Sequence, residues 1–368
     1  MIQSSIFLIM SPSGILGCRW RAELRNSLRS LRLTDMRKHW KKQLKNLENF
    51  NSFSNLFRKG IVLKAIKNII NNNSIPTILK MKKLYLFFLL LTLSTLLGYA
   101  AEPLKVLAIG NSFSEDATEQ YLNQLATMGG HELIIGNLYY PGCTIERHWN
   151  NLMHEKGEYS FRKIYADGHV DTIPHCTMTR ALHDEPWDII TFQQGSPVSG
   201  IHSSYSLLPL MLRRVRAMVG PHPKFLWHQT WAYAPTSTHS GFAAYSHDQM
   251  RMYASILYCT KKVLADNPEL KGVIPSGTAI QDARTTFLGN DLTRDGYHLD
   301  KKTGRYIASC TWYGVLFNQP FTISTFLPNG MTYEEGEICR LAAEEAIKHP
   351  FEIVELKIMT PTEKTNKE

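Results

Sequence analysis

Residues 104–130 read LKVLAIGNSFSEDATEQYLNQLATMGG, and their reading decides the fold class. LKVLAIG (104–110) is a continuous apolar run ending in glycine, the pattern of a strand buried on both faces of a parallel sheet. It leads into EDATEQYLNQLATMGG, where Ala117, Tyr121, Leu122, Leu125 and Met128 recur at helical spacing until two glycines stop the helix.

The same alternation runs through the rest of the chain. HELIIGNLYY (131–140) predicts a second strand, turned by Pro141-Gly142 into a helix over TIERHWNNLMHEKG. EYSFRKIYADGHVDTI has the pattern of a hairpin around Asp167-Gly168, expected to lie outside the main sheet. WDIITFQQ (187–194), KFLWHQTW (224–231) and GVIPSG (272–277) supply three more strands. Helices are expected over LLPLMLRRVRAMV, AAYSHDQMRMYASILYCTKKVLA, KKTGRYIASCTWYGVLF and YEEGEICRLAAEEAIKH. Five strands alternating with helices predict an α/β fold, a three-layer αβα sandwich on a five-stranded parallel sheet. One domain over 101–356 accommodates this, with a disordered tail over 357–368.

The first hundred residues have a different character. MKKLYLFFLLLTLSTLLGYA (81–100) carries two lysines, an apolar run from Leu84 to Leu97, then Gly98 and Ala100 before an expected cut. That is the order of a secretory signal peptide, and the run is short for a membrane span. Residues 1–80 are basic and asparagine-rich, and are read as an upstream extension preceding the true start at Met81. A periplasmic or secreted protein with no stable membrane span follows from this reading. Residues 1–101 hold 17 Lys+Arg against 3 Asp+Glu, whereas 102–368 hold 24 against 29. The net charge of +9 therefore originates in the leading segment, and no nucleic-acid partner is inferred from it.

Cys143, Cys176, Cys259, Cys310 and Cys339 are odd in number, widely spaced and without a C-x-x-C, so they form neither a disulfide scaffold nor a zinc site; one or two bridges in an oxidising compartment stay open, with no pairing readable from the sequence. His148, His169, His175, His183 and His202 lack metal-ligand spacing and read as loop and surface residues; no metal is expected.

In an open parallel sheet, ligands bind beyond the carboxyl ends of the strands. Gly110-Asn111-Ser112-Phe113-Ser114 follows the first strand there, with a serine at a helix start and backbone N–H groups beside it. The competing reading is that Ser112 or Ser114 caps the helix. Thr293-Arg294-Asp295-Gly296-Tyr297-His298-Leu299 places an aspartate three residues before a histidine, able to accept from its Nδ1–H and stabilise the imidazolium. Trp227, His228 and Trp231, on or past the fourth strand, are candidates for stacking on sugar rings; core packing is the alternative. Arg294 either steers an acidic substrate or, as preferred, pairs with a carboxylate.

G-N-S after the first strand, a glycine after the second (Gly142) and D-x-x-H near the end resemble the SGNH, or GDSL-type, serine hydrolase superfamily over about residues 104–318. G-N-S-F-S with Q-Q-G-S and W-A-Y is similar to a branch long filed as a domain of unknown function. The resemblance implies a flavodoxin-like sandwich, Ser112 as nucleophile, His298 as base, Asp295 as its orienting partner, and the Ser112 and Gly142 N–H groups in an oxyanion hole. The superfamily usually reads G-D-S where this chain has Asn111, and G-x-N-D where it has Gln193-Gln194-Gly195-Ser196. Gln194, with Gln193 second, is the expected replacement for the missing asparagine donor.

The expected activity is hydrolysis of an O-acyl ester, foremost an O-acetyl group on a small molecule or polysaccharide, without a cofactor. A lipid or thioester hydrolase ranks lower because no long apolar lid separates Ser112 from His298. A carbohydrate-binding protein that has lost the chemistry is the alternative from another class.

Overall fold

The computed structural model describes residues 102–319 and 326–357. The readings of 1–80 and of the signal peptide at 81–100, and the tail beyond Lys357, lie outside the described residues.

The strands are β1 (Leu104–Gly110), β2 (Leu133–Tyr139), β3 (Tyr159–Ile164), β4 (Val170–Cys176), β5 (Ile189–Phe192), β6 (Lys224–His228) and β7 (Leu270–Ile274). They form one sheet in the order β4-β3-β2-β1-β5-β6-β7. The five strands read from apolar runs are present and mutually parallel, as β2-β1-β5-β6-β7. The sheet is nevertheless seven-stranded and mixed, not five-stranded and parallel. The β3–β4 hairpin joins it, β3 pairing antiparallel with β2 from Ile135↔Ile164 to Tyr139↔Ser160. With five strands alone, β2 would present a row of unpaired N–H and C=O groups, and β3 takes them. Polar, proline-containing β4 (VDTIPHC) is suited to the new edge.

The sheet buries both faces, and period-2 alternation sorts its side chains between two cores. Val106 and Ala108 of β1 face one core with Leu226, while Leu107 and Ile109 face the other with Phe225 and Trp227. On the first face pack α1 (Ser112–Thr118), α2 (Leu122–Met128), α7 (Ser276–Ala283), α8 (Thr303–Phe317) and α9 (Tyr333–Lys348). On the second pack α3 (Ile145–Met153), α4 (Met178–Leu182) and α5 (Leu208–Val219). The long α6 (Gln249–Asp266) contributes Met252 and Ile256 to the first core, Cys259 and Val263 to the second.

Helix boundaries follow their caps. Asp248 accepts from Arg251 N at 2.8 Å, so α6 begins at Gln249 rather than Ala243. The helix expected after β1 is two helices: Glu119 is bound to Arg162 and Asn137, and Gln120 and Tyr121 reach Lys301 O. No helix among the described residues is long and apolar enough to cross a membrane. The five described cysteines are buried free thiols.

Candidate active site

The chain leaves β1 for β2 on one side and later returns to β5 on the other. The carboxyl ends of β1 and β5 therefore flank the topological switch point where α/β sheets bind ligands. Ser112 follows β1 directly, Gly142 lies in the turn after β2, and Gln193 and Gln194 follow β5.

Ser112 is the first residue of α1 and is half-buried. Neither serine caps this helix. Asn111 is the cap, its Oδ1 accepting from Phe113 N at 3.0 Å, and Ser114 is buried with its hydroxyl on Asn111 O and Asn137 Oδ1, both at 2.8 Å. The capping alternative for Ser112 is thereby removed, and its hydroxyl meets no acceptor or donor among the described residues.

Asp295 and His298 form a local unit. The carboxylate Oδ2 lies 2.6 Å from His298 Nδ1, and Oδ1 accepts from the backbone N–H of His298 (2.8 Å) and Tyr297 (3.1 Å). Partial burial pushes the Asp295 carboxyl up, but hydrogen bonds from the His298 ring and these N–H groups outweigh it and hold it below the usual carboxylate range. The carboxylate accepts, so the ring donates from Nδ1, the tautomer whose neutral form carries its lone pair on Nε2.

The loop carrying this pair is latched onto the serine's own helix. Asp116, buried in α1, accepts from Leu299 N at 2.8 Å and pairs with Arg294 at 3.0 Å and Arg305 at 2.6 Å. Arg294 also donates to Leu299 O, and Trp231 Nε1 donates to Tyr297 O at 2.7 Å. Gly296 (φ +88°) lies so close to Ser237 that a Cβ would fall 2.7 Å from its Cα. As a result the His298 ring rests edge-on against Phe113, the neighbour of Ser112, at 6.3 Å between centroids. Among the described residues no hydrogen bond joins Ser112 Oγ to His298 Nε2, and the ring bond of His298 goes to Asp295.

Asp116 carries no sequence signal of its role; it reads as an ordinary acidic residue in a helix's first turns. The pairing of Arg294 with a carboxylate was legible, its partner was not.

Gly142 adopts φ +60°, with open space where a Cβ would stand, so backbone conformation alone favours glycine there. Among the described residues neither Ser112 N–H nor Gly142 N–H is taken by an acceptor. The glutamines are placed differently from expectation. Gln194 is fully buried, donating from Nε2 to Ser204 O and Oγ (3.0 Å each) and accepting at Oε1 from Ile145 and Gly195 N–H (2.8 Å each). With both amide protons committed, it has none for an oxyanion. Gln193 is likewise buried and spends Nε2 on Asn111 Oδ1 at 2.7 Å.

The proposed sugar-stacking residues are core instead. Trp227 is 2% exposed, His228 and Trp231 are 0%, and Trp231 stacks on Phe113 at 4.0 Å. Rings beside His298 come from elsewhere: half-buried Tyr297 lies 4.2 Å from His298 and 4.7 Å from His239, with Tyr233 behind them. Partial burial, with the nearby His298, lowers the His239 pKa from the usual imidazole value. His148, read as a surface residue, is buried against Tyr159. Among the described residues no three His, Cys, Asp or Glu side chains converge as metal ligands.

Residues 105–346 match a family described as "Domain of unknown function (DUF4886)". A crystal structure of a DUF4886 family protein from Bacteroides uniformis is 44% identical, with a TM-score of 0.68, covering 69% of this chain and 98% of its own. A gut microbial diltiazem-metabolizing enzyme aligns at 12% identity and a TM-score of 0.36, over 57% of this chain and 46% of its own. Comparison with the curated proteins gives no match.

Proposed function

The chain belongs to the DUF4886 family, and we propose that it is a serine hydrolase cleaving an ester by acyl transfer. The observation that carries this reading is the Asp295–His298 pair at 2.6 Å, on a loop anchored by Asp116 to the helix that Ser112 begins. It is a base oriented by a carboxylate, its ring packed on Phe113, the neighbour of a serine whose hydroxyl is uncommitted among the described residues.

In this scheme His298 Nε2 takes the proton of Ser112 as Oγ attacks the ester carbonyl carbon. The negative charge passes to the carbonyl oxygen, held by the N–H groups of Ser112 and Gly142. Collapse of the tetrahedral intermediate expels the alcohol, which takes the proton from His298. Water, deprotonated by His298, then attacks the acyl-enzyme and frees acid and Ser112. The hydrogen-bonding of Gln194 restricts the hole to backbone donors, fewer than the SGNH resemblance implies.

For substrate we favour an O-acyl ester of a carbohydrate, foremost O-acetyl. Its support is the resemblance together with the half-buried Tyr297–His239 ring pair beside His298; the buried tryptophans no longer contribute. The signal-peptide reading of 81–100 places this activity in the periplasm or outside the cell.

The test is turnover of p-nitrophenyl acetate and of an acetylated polysaccharide by the full chain, beside Ser112→Ala and His298→Ala. Turnover abolished by both substitutions supports the proposal; turnover surviving Ser112→Ala overturns it. The committed amide of Gln194 favours one rival, a binding protein with lost chemistry. Glycan binding without turnover identifies that case.

A further inference from the structure

A polar chain runs beneath this site, across the carboxyl ends of four parallel strands. Asn111 follows β1, Gln193 follows β5, His228 ends β6, and Ser276 opens α7 after β7. The links are Ser276 Oγ to His228 Nε2 (3.0 Å), His228 Nδ1 to Gln193 Oε1 (2.8 Å) and Gln193 Nε2 to Asn111 Oδ1 (2.7 Å). Its last members reach main chain, Asn111 Nδ2 lying 3.0 Å from Cys143 O and 3.4 Å from Gln194 O. All four side chains are at most 1% exposed.

The direction of every link is determined. A backbone N–H only donates and a carbonyl only accepts, so Phe113 N fixes Oδ1 of Asn111, and Cys143 O fixes Nδ2. Gln193 must then donate to Oδ1 and present Oε1 to His228. That oxygen demands a proton on Nδ1, which leaves Nε2 to accept from the Ser276 hydroxyl. Burial pushes the His228 imidazole down to about 3, so it remains neutral in this one tautomer. Trp312, 5.0 Å away, packs against the ring.

We infer that this chain positions the oxyanion donors, with Asn111 as the residue that ties the turn bearing Gly142 to the helix bearing Ser112; the inference rests on the hydrolase reading above. One side chain caps α1 through Phe113 N and holds Cys143 O, the carbonyl next to Gly142. The two N–H groups are thereby held at a set separation, and Gln193, His228 and Ser276 restrain the amide that does so. None of the four touches the reacting atoms in this scheme; they are positioning residues. Gln193 moves from candidate donor to support.

Asn111→Asp tests the terminal link, because it keeps an oxygen for Phe113 N and Gln193 while setting an oxygen against two carbonyls. The expected result in the full chain is kcat for p-nitrophenyl acetate down about 10- to 100-fold, the scale of a misplaced group, with KM nearly unchanged. Ser276→Ala, at the far end, should lower kcat about threefold and perturb the His228 ring, because one buried acceptor loses its donor. Nitrogen–proton correlation spectra should show His228 protonated at Nδ1 alone from pH 5 to 9. Should Asn111→Asp fail to fold, Ser276→Ala and the tautomer decide. Folded variants with wild-type kcat, or a His228 protonated at Nε2, overturn the positioning role while leaving the hydrolase standing. A wild type without turnover overturns the hydrolase and the positioning role together.

Discussion

Two loops border Ser112, and they spend their polar groups in opposite ways. The loop of Asp295 and His298 is held by contacts from outside, through Asp116, Arg294 and Trp231, so that its histidine keeps one nitrogen in reserve. The loop of Gln193 and Gln194 is bound from within: their amides are buried and directed into Asn111, His228, Ser204 and main chain. Polar residues at a sheet's carboxyl edge thus divide into those with unspent valence, which can do chemistry, and those fully spent, which hold the former in place. Sequence position alone does not distinguish them.

The largest expected effect strikes the first loop. Asp295→Asn replaces the acceptor of the Nδ1 proton by an amide that favours the wrong tautomer, and kcat should fall on the order of 10⁴-fold with little change in melting temperature. Steady-state kinetics beside a thermal melt separates this from unfolding. A loss below tenfold breaks the comparison at its stronger side.

Next comes the latch. Asp116→Ala strands Arg294 and Arg305 without their shared carboxylate, and removing one partner of a buried ion pair costs about 3–5 kcal/mol. Chemical denaturation should show that loss, with activity falling further than stability predicts as the His298 loop drifts from Ser112.

The second loop should behave as framework. Gln194→Ala removes four hydrogen bonds and is expected to cost about 2–4 kcal/mol of stability. In the folded fraction kcat should change less than tenfold, because no oxyanion donor is lost. A loss of 100-fold or more at unchanged stability would return Gln194 to the oxyanion hole.

The sequence revealed most where burial is written locally. Strands covered on both faces are largely apolar, so β1, β2, β5 and β6 were legible as runs, and β7 (Leu270–Ile274) only through its last three residues. The β3–β4 hairpin was legible as a hairpin, yet its attachment to β2 depends on which edge lies open, a property of the whole sheet. The contact between Asp295 and His298 was recoverable because they lie three residues apart. The bonding of Gln194 was not legible because the acceptors of its amide, on Ser204, lie ten residues downstream. The tryptophans were misjudged because their burial depends on partners distant in sequence, Phe113 for Trp231 and Tyr205 for Trp227.

The smallest effect expected lies away from both loops. Asp282 of α7 accepts from Val354 N at 2.8 Å, while burial pushes its carboxyl up to about 7. Between pH 4 and 7 the folded form keeps a proton that the unfolded chain releases, so stability falls as pH rises through that window and levels off above it. Asp282→Asn should flatten this slope and raise the melting temperature at pH 8 by about 2–4 °C; a slope unchanged by the substitution would show that another group causes it.

The central claim is that Ser112 is the nucleophile and His298 its base. Treating the full chain with a fluorophosphonate probe and mapping the adduct by peptide mass spectrometry tests it most directly. The account predicts one stoichiometric adduct on Ser112, formed far more slowly in His298→Ala and absent in Ser112→Ala. An adduct on another residue, or equal labelling with and without His298, would contradict it.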